Sequence, residues 1–210
     1  MNRRTALQQF GALALLAGSA GRVLAQVSQS FKTLDRAIPS EVEGKIEVLE
    51  FFHYGCPHCR DFDPLITQWE KKLAADVAFA RVPATWDEGL RGLARLYYAL
   101  DISGHADRVH KLVFAAIQDE RVPLNKEDAV RSWIGKQGVD AKVFMEIYQS
   151  FGVQAKVQRA DQLMRAYQID GVPAMAVAGR FLTSASINGN SHATALKVVD
   201  QLIARVRAKQ

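Results

Sequence analysis

The chain holds two cysteines, and they stand together in Cys56-Pro57-His58-Cys59. A thiol pair at this spacing can close a small disulfide ring and open it again, which is dithiol–disulfide exchange chemistry. The flanking pattern suits that chemistry. Lys45-Ile46-Glu47-Val48-Leu49-Glu50-Phe51-Phe52 is rich in β-branched and aromatic residues and predicts a strand. From Pro57 onward, Phe62, Leu65, Ile66, Trp69 and Leu73 recur at helical spacing. Cys56 is then expected at a helix N-terminus, where unpaired N–H groups and the helix dipole favour a thiolate over a thiol. Pro57 at the first helical turn gives up no useful donor. His58 adds a nearby donor and, when protonated, a positive charge.

Other uses of the same residues stay open at this level. A structural disulfide of this spacing would close so small a loop that it would add little stability. Half of a zinc site is conceivable, with His105 and His110 as distant ligands. A structural zinc normally takes four ligands, however, and the chain has no second Cys-x-x-Cys.

The predicted strand carries apolar residues on both faces. Leu49 and Phe51 are expected on one, and Ile46, Val48 and Phe52 on the other. Burial on both sides fits a central strand between helical layers. Glu50 shares a face with Val48 and Phe52, so it is expected to be buried with few partners, in a setting that raises a carboxyl pKa.

Beyond the first helix, Val77–Val82 predicts a second strand ending at Pro83, and Pro64 is expected to kink the helix between them. Five helical stretches follow. Asn125 and Asp128 resemble a capping box, and Asp140 and Ser191 are placed to cap later helices. After Pro173, Ala174–Ala178 and Phe181–Thr183 read as a hairpin around Gly179-Arg180. The order of strand, helix, strand, helical block, hairpin and helix predicts an α/β domain interrupted by an all-helical insertion. The expected boundaries are 26–86 for the first part of the α/β domain, 87–160 for the insertion and 161–210 for the second part.

Residues 1–25 read as an export signal. Arg3 and Arg4 precede a short apolar run and a small-residue stretch ending in Ala25. The run is shorter than the roughly 18 residues that span a bilayer. The formal charge of the whole chain is +5, but cleavage after Ala25 would remove three of its 27 basic residues and none of its 22 acidic ones. The remainder is near neutral, and no basic run with interleaved aromatics follows, so nucleic-acid binding is not expected. Export would place the cysteines in an oxidising compartment, where a disulfide persists.

Taken together, Val48-Leu49-Glu50-Phe51-Phe52, Cys56-Pro57-His58-Cys59 and Gly171-Val172-Pro173-Ala174 resemble the DsbA family of thiol:disulfide oxidoreductases. The Pro-His dipeptide between the cysteines is its most specific mark, and the resemblance covers nearly the whole chain after the signal. It implies a thioredoxin-like fold with a helical insertion. It also implies that Cys56 is the exposed nucleophile, Cys59 the buried resolving cysteine and His58 a stabiliser of the thiolate. Pro173 matches the cis-proline of that fold, and Val172 the residue whose backbone pairs with an extended substrate segment. Glu50 matches an acid under the site that helps manage the Cys59 proton.

The resemblance further implies unfolded exported proteins as substrates, a DsbB-type quinone-coupled membrane protein as reoxidant, a monomer, and no cofactor or metal beyond the disulfide itself. A disulfide isomerase or a partner-specific reductase of the same superfamily is the alternative. His53-Tyr54-Gly55 departs from the family's more apolar pattern, which raises the expectation of an altered peptide groove or partner contact.

Overall fold

The computed structural model describes residues 30–209. The proposed signal, residues 1–25, lies outside them. A short strand β1 (Lys32–Thr33) is followed by β2 (Ile46–Phe52), α1 (Pro57–Glu70) and β3 (Val77–Pro83). Five helices follow: α2 (Glu88–Ile102), α3 (Ala106–Gln118), α4 (Glu127–Lys136), α5 (Ala141–Tyr148) and α6 (Phe151–Ala166). The chain then returns to β4 (Ala174–Val177), β5 (Phe181–Thr183), a 3-10 turn at Ser186–Asn188, and α7 (His192–Arg207).

The strands form one sheet in the order β1-β5-β4-β2-β3. β2 and β3 are parallel, joined through α1, and the other pairings are antiparallel. Every residue of β2 is buried, as a central strand requires. Ile46 and Val48 pack with Phe62 and Ile66 of α1 and with Val199 and Leu202 of α7. Leu49 and Phe51 join a second core with the inserted helices. This is the thioredoxin-like fold with a helical insertion that the resemblance implied.

Phe52 departs from the strand parity. It was expected beside Ile46 and Val48, but it lies in the second core, with its ring edge-on to Tyr54 at 5.2 Å and to Tyr97 at 5.2 Å. Phe52 is the last residue of β2, where the strand runs out between the sheet and the insertion, so its neighbours come from the inserted helices. The expected boundary between residues 160 and 161 falls inside α6, which is one continuous helix.

Two local expectations need correction. The hairpin turns at Ala178-Gly179 rather than Gly179-Arg180: both residues have positive φ, 51° and 65°, and the Arg180 N–H donates to the Val177 carbonyl at 3.1 Å. The arm before β2 fixes this choice. The Ile38 N–H donates to the Gly179 carbonyl at 2.8 Å, and a Cβ on Gly179 would lie 1.9 Å from the Ile38 oxygen. The Asn125–Asp128 capping box does not form, because α4 starts one residue later, with Lys126 at its N-cap and no side-chain cap. Asp140 and Ser191 do cap α5 and α7 as expected. α1 continues through Pro64 as a single helix.

Candidate active site

Cys56 is the N-cap of α1, with extended backbone, φ −88° and ψ 116°. Its Sγ accepts the Cys59 N–H at 3.3 Å, so the sulfur itself serves as the cap. Pro57 occupies the first turn, where a missing N–H costs nothing. The expectation of an exposed Cys56 needs correction, because the helix cap and the Val172 loop leave it only 8% exposed; Cys59 is 0% exposed, and both thiols are free. Gly55, Pro57 and His58 are exposed around them.

The two thiols are driven in opposite directions. The Cys56 thiol is lowered to about 6, first by its hydrogen bond with Cys59, against burial, and then by the Cys59 and His58 main-chain N–H groups and the charge of His58. The Cys59 thiol is raised, first by burial and then by Cys56. One sulfur is therefore an anion near neutral pH, and the other holds its proton.

The Val172–Pro173 peptide bond is cis. The Val172 carbonyl lies 3.6 Å from the Cys56 Sγ. A cavity of about 740 Å³ opens beside this loop, with His58, Val172, Pro173 and His192 in its wall. His192, the first residue of α7, stacks on Phe62 at 4.8 Å and lies 6.4 Å from His58 between ring centroids. Trp86 is 47% exposed. Its indole N–H donates to the Ile169 carbonyl at 3.3 Å, and its ring lies edge-on to His53 at 6.3 Å.

Under the cysteines lies a buried charged cluster. Glu50 is 2% exposed, and its carboxyl is raised to about 8, first by burial, with Arg81 opposing. The expectation of few partners needs correction, because Arg81 Nε lies 3.1 Å from Glu50 Oε2. The two approach without hydrogen-bond alignment, and with the carboxyl raised to about 8 they form an ion pair only once Glu50 has lost its proton. Arg81 also reaches Asp63 at 3.6 Å and Glu70 at 3.2 Å. Glu50 is close enough to Cys59 to push its thiol further up.

The inserted unit closes the back of the site. Gln118 Nε2 donates to the Tyr54 carbonyl at 2.8 Å and to the Cys56 carbonyl at 3.1 Å. Arg60 of α1 pairs with Asp119 through two contacts, 2.6 and 2.7 Å. His110 does not stand with the cysteines as a metal ligand would. Its ring nitrogens face Tyr54 and Asp63.

The structure thus brings Cys56, Pro57, His58, Cys59, Val172 and Pro173 to one mouth, and Glu50 beneath it. Arg81, Asp63, Gln118 and His192 were not found from the sequence, which singled out His110 only as a conceivable zinc ligand and Tyr54 only as part of the His53-Tyr54-Gly55 departure. Arg81 carried one weak signal: it is a charged residue inside an apolar strand, in register with Glu50. The departure at His53-Tyr54-Gly55 divides. Tyr54 is fully buried and takes no part in a groove, whereas His53 backs the exposed Trp86.

Comparison with known proteins agrees with this geometry. The family model for the DSBA-like thioredoxin domain matches residues 66–197, which begins beyond the cysteine pair. Whole-length relatives include that pair's segment. The thiol:disulfide interchange protein DsbA of Bordetella parapertussis is 44% identical over 203 residues, covering 97% of each chain. The DsbA of Pseudomonas syringae pv. tomato is 36% identical over 201 residues, covering 93% of this chain and 94% of its own.

Among solved structures, Pseudomonas aeruginosa DsbA superposes with a TM-score of 0.83 at 36% identity, covering 86% of this chain and 93% of that one. The oxidoreductase DsbA from Xylella fastidiosa gives 0.77 at 31% identity, covering 85% and 96%. With its cysteine pair at a helix N-terminus beside a cis-proline loop, and with relatives along nearly its whole length, the chain belongs to the DsbA family of thiol:disulfide oxidoreductases.

Proposed function

We propose that this oxidoreductase works as a disulfide donor to unfolded exported proteins in the periplasm, with Cys56 as its nucleophile-accepting sulfur. The observation that carries the reading is the opposed pair: a Cys56 thiol lowered to about 6 beside a buried Cys59 thiol that is raised. Stabilising one thiolate favours the dithiol form of the enzyme, and so favours passing the disulfide on.

In the oxidised enzyme, Cys56 and Cys59 share the disulfide. A substrate thiolate attacks the Cys56 sulfur, a substrate–Cys56 bond forms, and the Cys56–Cys59 bond breaks. The Cys59 sulfur leaves with the electron pair and takes a proton. Glu50, held protonated near neutral pH, is the buried acid suited to exchange it. A second substrate thiolate then attacks the substrate sulfur of the mixed disulfide. Cys56 departs as a thiolate, a good leaving group because its thiol pKa is low. The substrate has lost two electrons, and the enzyme has gained them as a dithiol.

Val172, beside Cys56 with its carbonyl toward the sulfur, is placed to pair main chain with an extended substrate segment. Such pairing reads backbone rather than sequence, which suits varied unfolded substrates. His58 adds positive charge at the thiolate. Two electrons per cycle must leave the enzyme, and a DsbB-type quinone-coupled membrane protein acting on a monomer accounts for them.

Mixing the oxidised protein with a reduced, unfolded, multi-cysteine substrate should transfer its disulfide, and the redox potential should lie well above that of thioredoxin. A potential near thioredoxin's would identify a reductase instead.

A further inference from the structure

His110 takes no part in the exchange chemistry, yet it is the most elaborately held titratable side chain in the inserted unit. It is buried in α3, with ring centroids of Phe52, Tyr54 and Phe114 at 5.3, 5.1 and 5.2 Å. The Tyr54 hydroxyl lies 2.8 Å from Nδ1, and Asp63 Oδ1 lies 3.2 Å from Nε2. These partners assign the tautomer. A neutral ring with its proton on Nε2 accepts from the Tyr54 O–H, while Nε2 faces the Asp63 carboxylate without hydrogen-bond alignment. Burial lowers the His110 pKa, against Asp63, which agrees with the neutral form. Burial would raise Asp63, but His110 and Arg81 outweigh it and hold it ionised.

The two partners lie on either side of the redox turn. Tyr54 is two residues before Cys56, in the loop leaving β2. Asp63 is four residues after Cys59, one turn along the same face of α1. The last residue of α3, Gln118, grips the main chain of the same loop at Tyr54 and Cys56. One inserted helix therefore holds the loop by a side chain and by its carbonyls, and His110 is its link to α1.

We propose that His110 is a positioning residue for the redox pair, hydrogen-bonded to the Tyr54 hydroxyl and packed against the Asp63 carboxylate so that the loop carrying Cys56 stays registered on the helix carrying Cys59. This rests on Cys56 being the sulfur that enters the mixed disulfide and leaves it as a thiolate. The physical need is the contact at the cap. The thiolate is stabilised only while its sulfur sits on the Cys59 N–H, and the Cys56 N–H donates to the His53 carbonyl at 3.0 Å in the same loop. A loop freed from His110 samples positions in which the sulfur has left the cap.

The test titrates Cys56 by thiolate absorbance in the full-length reduced protein, alongside the redox equilibrium with glutathione and thermal unfolding. His110→Leu removes both contacts. It should reduce the equilibrium constant for thiolate formation by about three- to tenfold, the weight of one lost hydrogen bond, and shift the redox equilibrium toward the disulfide by the same factor. Tyr54→Phe removes one hydroxyl and should move both readouts the same way by less. His110→Gln, which can still accept from Tyr54 and donate to Asp63, should restore them.

Unfolding that shifts while the thiolate and redox readouts match wild type would overturn the proposal, as would failure of the glutamine variant to rescue. Where His110→Leu does not fold, Tyr54→Phe decides alone. A wild-type Cys56 that titrates as an ordinary thiol would instead overturn the reading of Cys56 as the thiolate leaving group, a result visible before any variant is made.

Discussion

The mouth of the site and its floor are separated by one turn of helix, and they treat acids in opposite ways. At the mouth Cys56 meets N–H groups and loses its proton near pH 6. On the floor Cys59 and Glu50 are wrapped in the cores of the sheet and the insertion, and each keeps its proton beyond its ordinary range. The difference lies in solvation and donors rather than in residue type, since two of the three groups are the same thiol. A disulfide drawn across that boundary joins a sulfur that prefers the anion to one that prefers the thiol. Its reduced form is thereby favoured.

The largest test of this contrast is to remove one sulfur at a time. Cys56→Ser should abolish disulfide transfer. Cys59→Ser has no internal disulfide to donate, and its Cys56 thiolate should instead attack a disulfide-bearing substrate and hold one of its sulfurs in a mixed disulfide that no internal thiol can release. Mass spectrometry should then find the adduct on Cys56, and an adduct that turns over at the wild-type rate would show that Cys59 does not resolve it.

Next in size is the pH dependence of the potential. A lowered thiol pKa stabilises the reduced form fully above the ordinary thiol value of 9.0, and that advantage is lost as pH falls through about 6. Above the break one proton accompanies two electrons, and the potential should fall by about 30 mV per pH unit. Below it two protons do, and the slope should steepen to about 59 mV. A single slope across pH 5 to pH 8 would mean that the thiols are not held apart.

The floor has its own test. The Glu50 carboxyl is raised from 4.5 to about 8, so its contribution to folding is complete below 4.5 and is lost as pH rises through about 8. Glu50→Gln has no proton to lose. Its denaturant stability relative to wild type should improve between pH 5 and pH 8 by at least about 1.4 kcal/mol, the worth of one pKa unit. Parallel stability curves for the two proteins would place the Glu50 charge elsewhere.

The mouth was far more legible in the sequence than the floor. Cys56, Pro57, His58 and Cys59 are contiguous, and a strand pattern before them with a helix pattern after them sets their geometry. Val172-Pro173 needed the family resemblance, because no local feature brings residue 173 to residue 56. The floor is assembled from β2, α1, β3 and α3, and each member reads locally as something else. Asp63 passes as an exposed helix position, Arg81 as an interruption of a strand, and His110 as a conceivable distant zinc ligand. Only the register of Arg81 opposite Glu50, and the packing of α3 over α1, give them their roles. The turn at Ala178-Gly179 was misplaced for the same reason, since the Ile38 carbonyl that selects it is 141 positions away in the chain.

The smallest effect separates two links between the same helix and the same site. Arg60–Asp119 is the shorter and better formed by distance, with both side chains well exposed, at 38% and 55%. Gln118, half-buried, donates to two main-chain carbonyls of the redox loop. An exposed pair exchanges solvation and side-chain freedom for its contact and gains little. The amide, by contrast, satisfies acceptors that have lost access to water. Gln118→Ala should therefore cost about 1–2 kcal/mol in denaturant unfolding and disturb the Cys56 titration. Arg60→Ala should leave both within the scatter of replicate wild-type measurements, and its small residual effect should vanish in high salt. Equal losses from the two variants would mean that the surface pair shares the work of fixing the loop, and that the boundary between mouth and floor is drawn one helix face too deep.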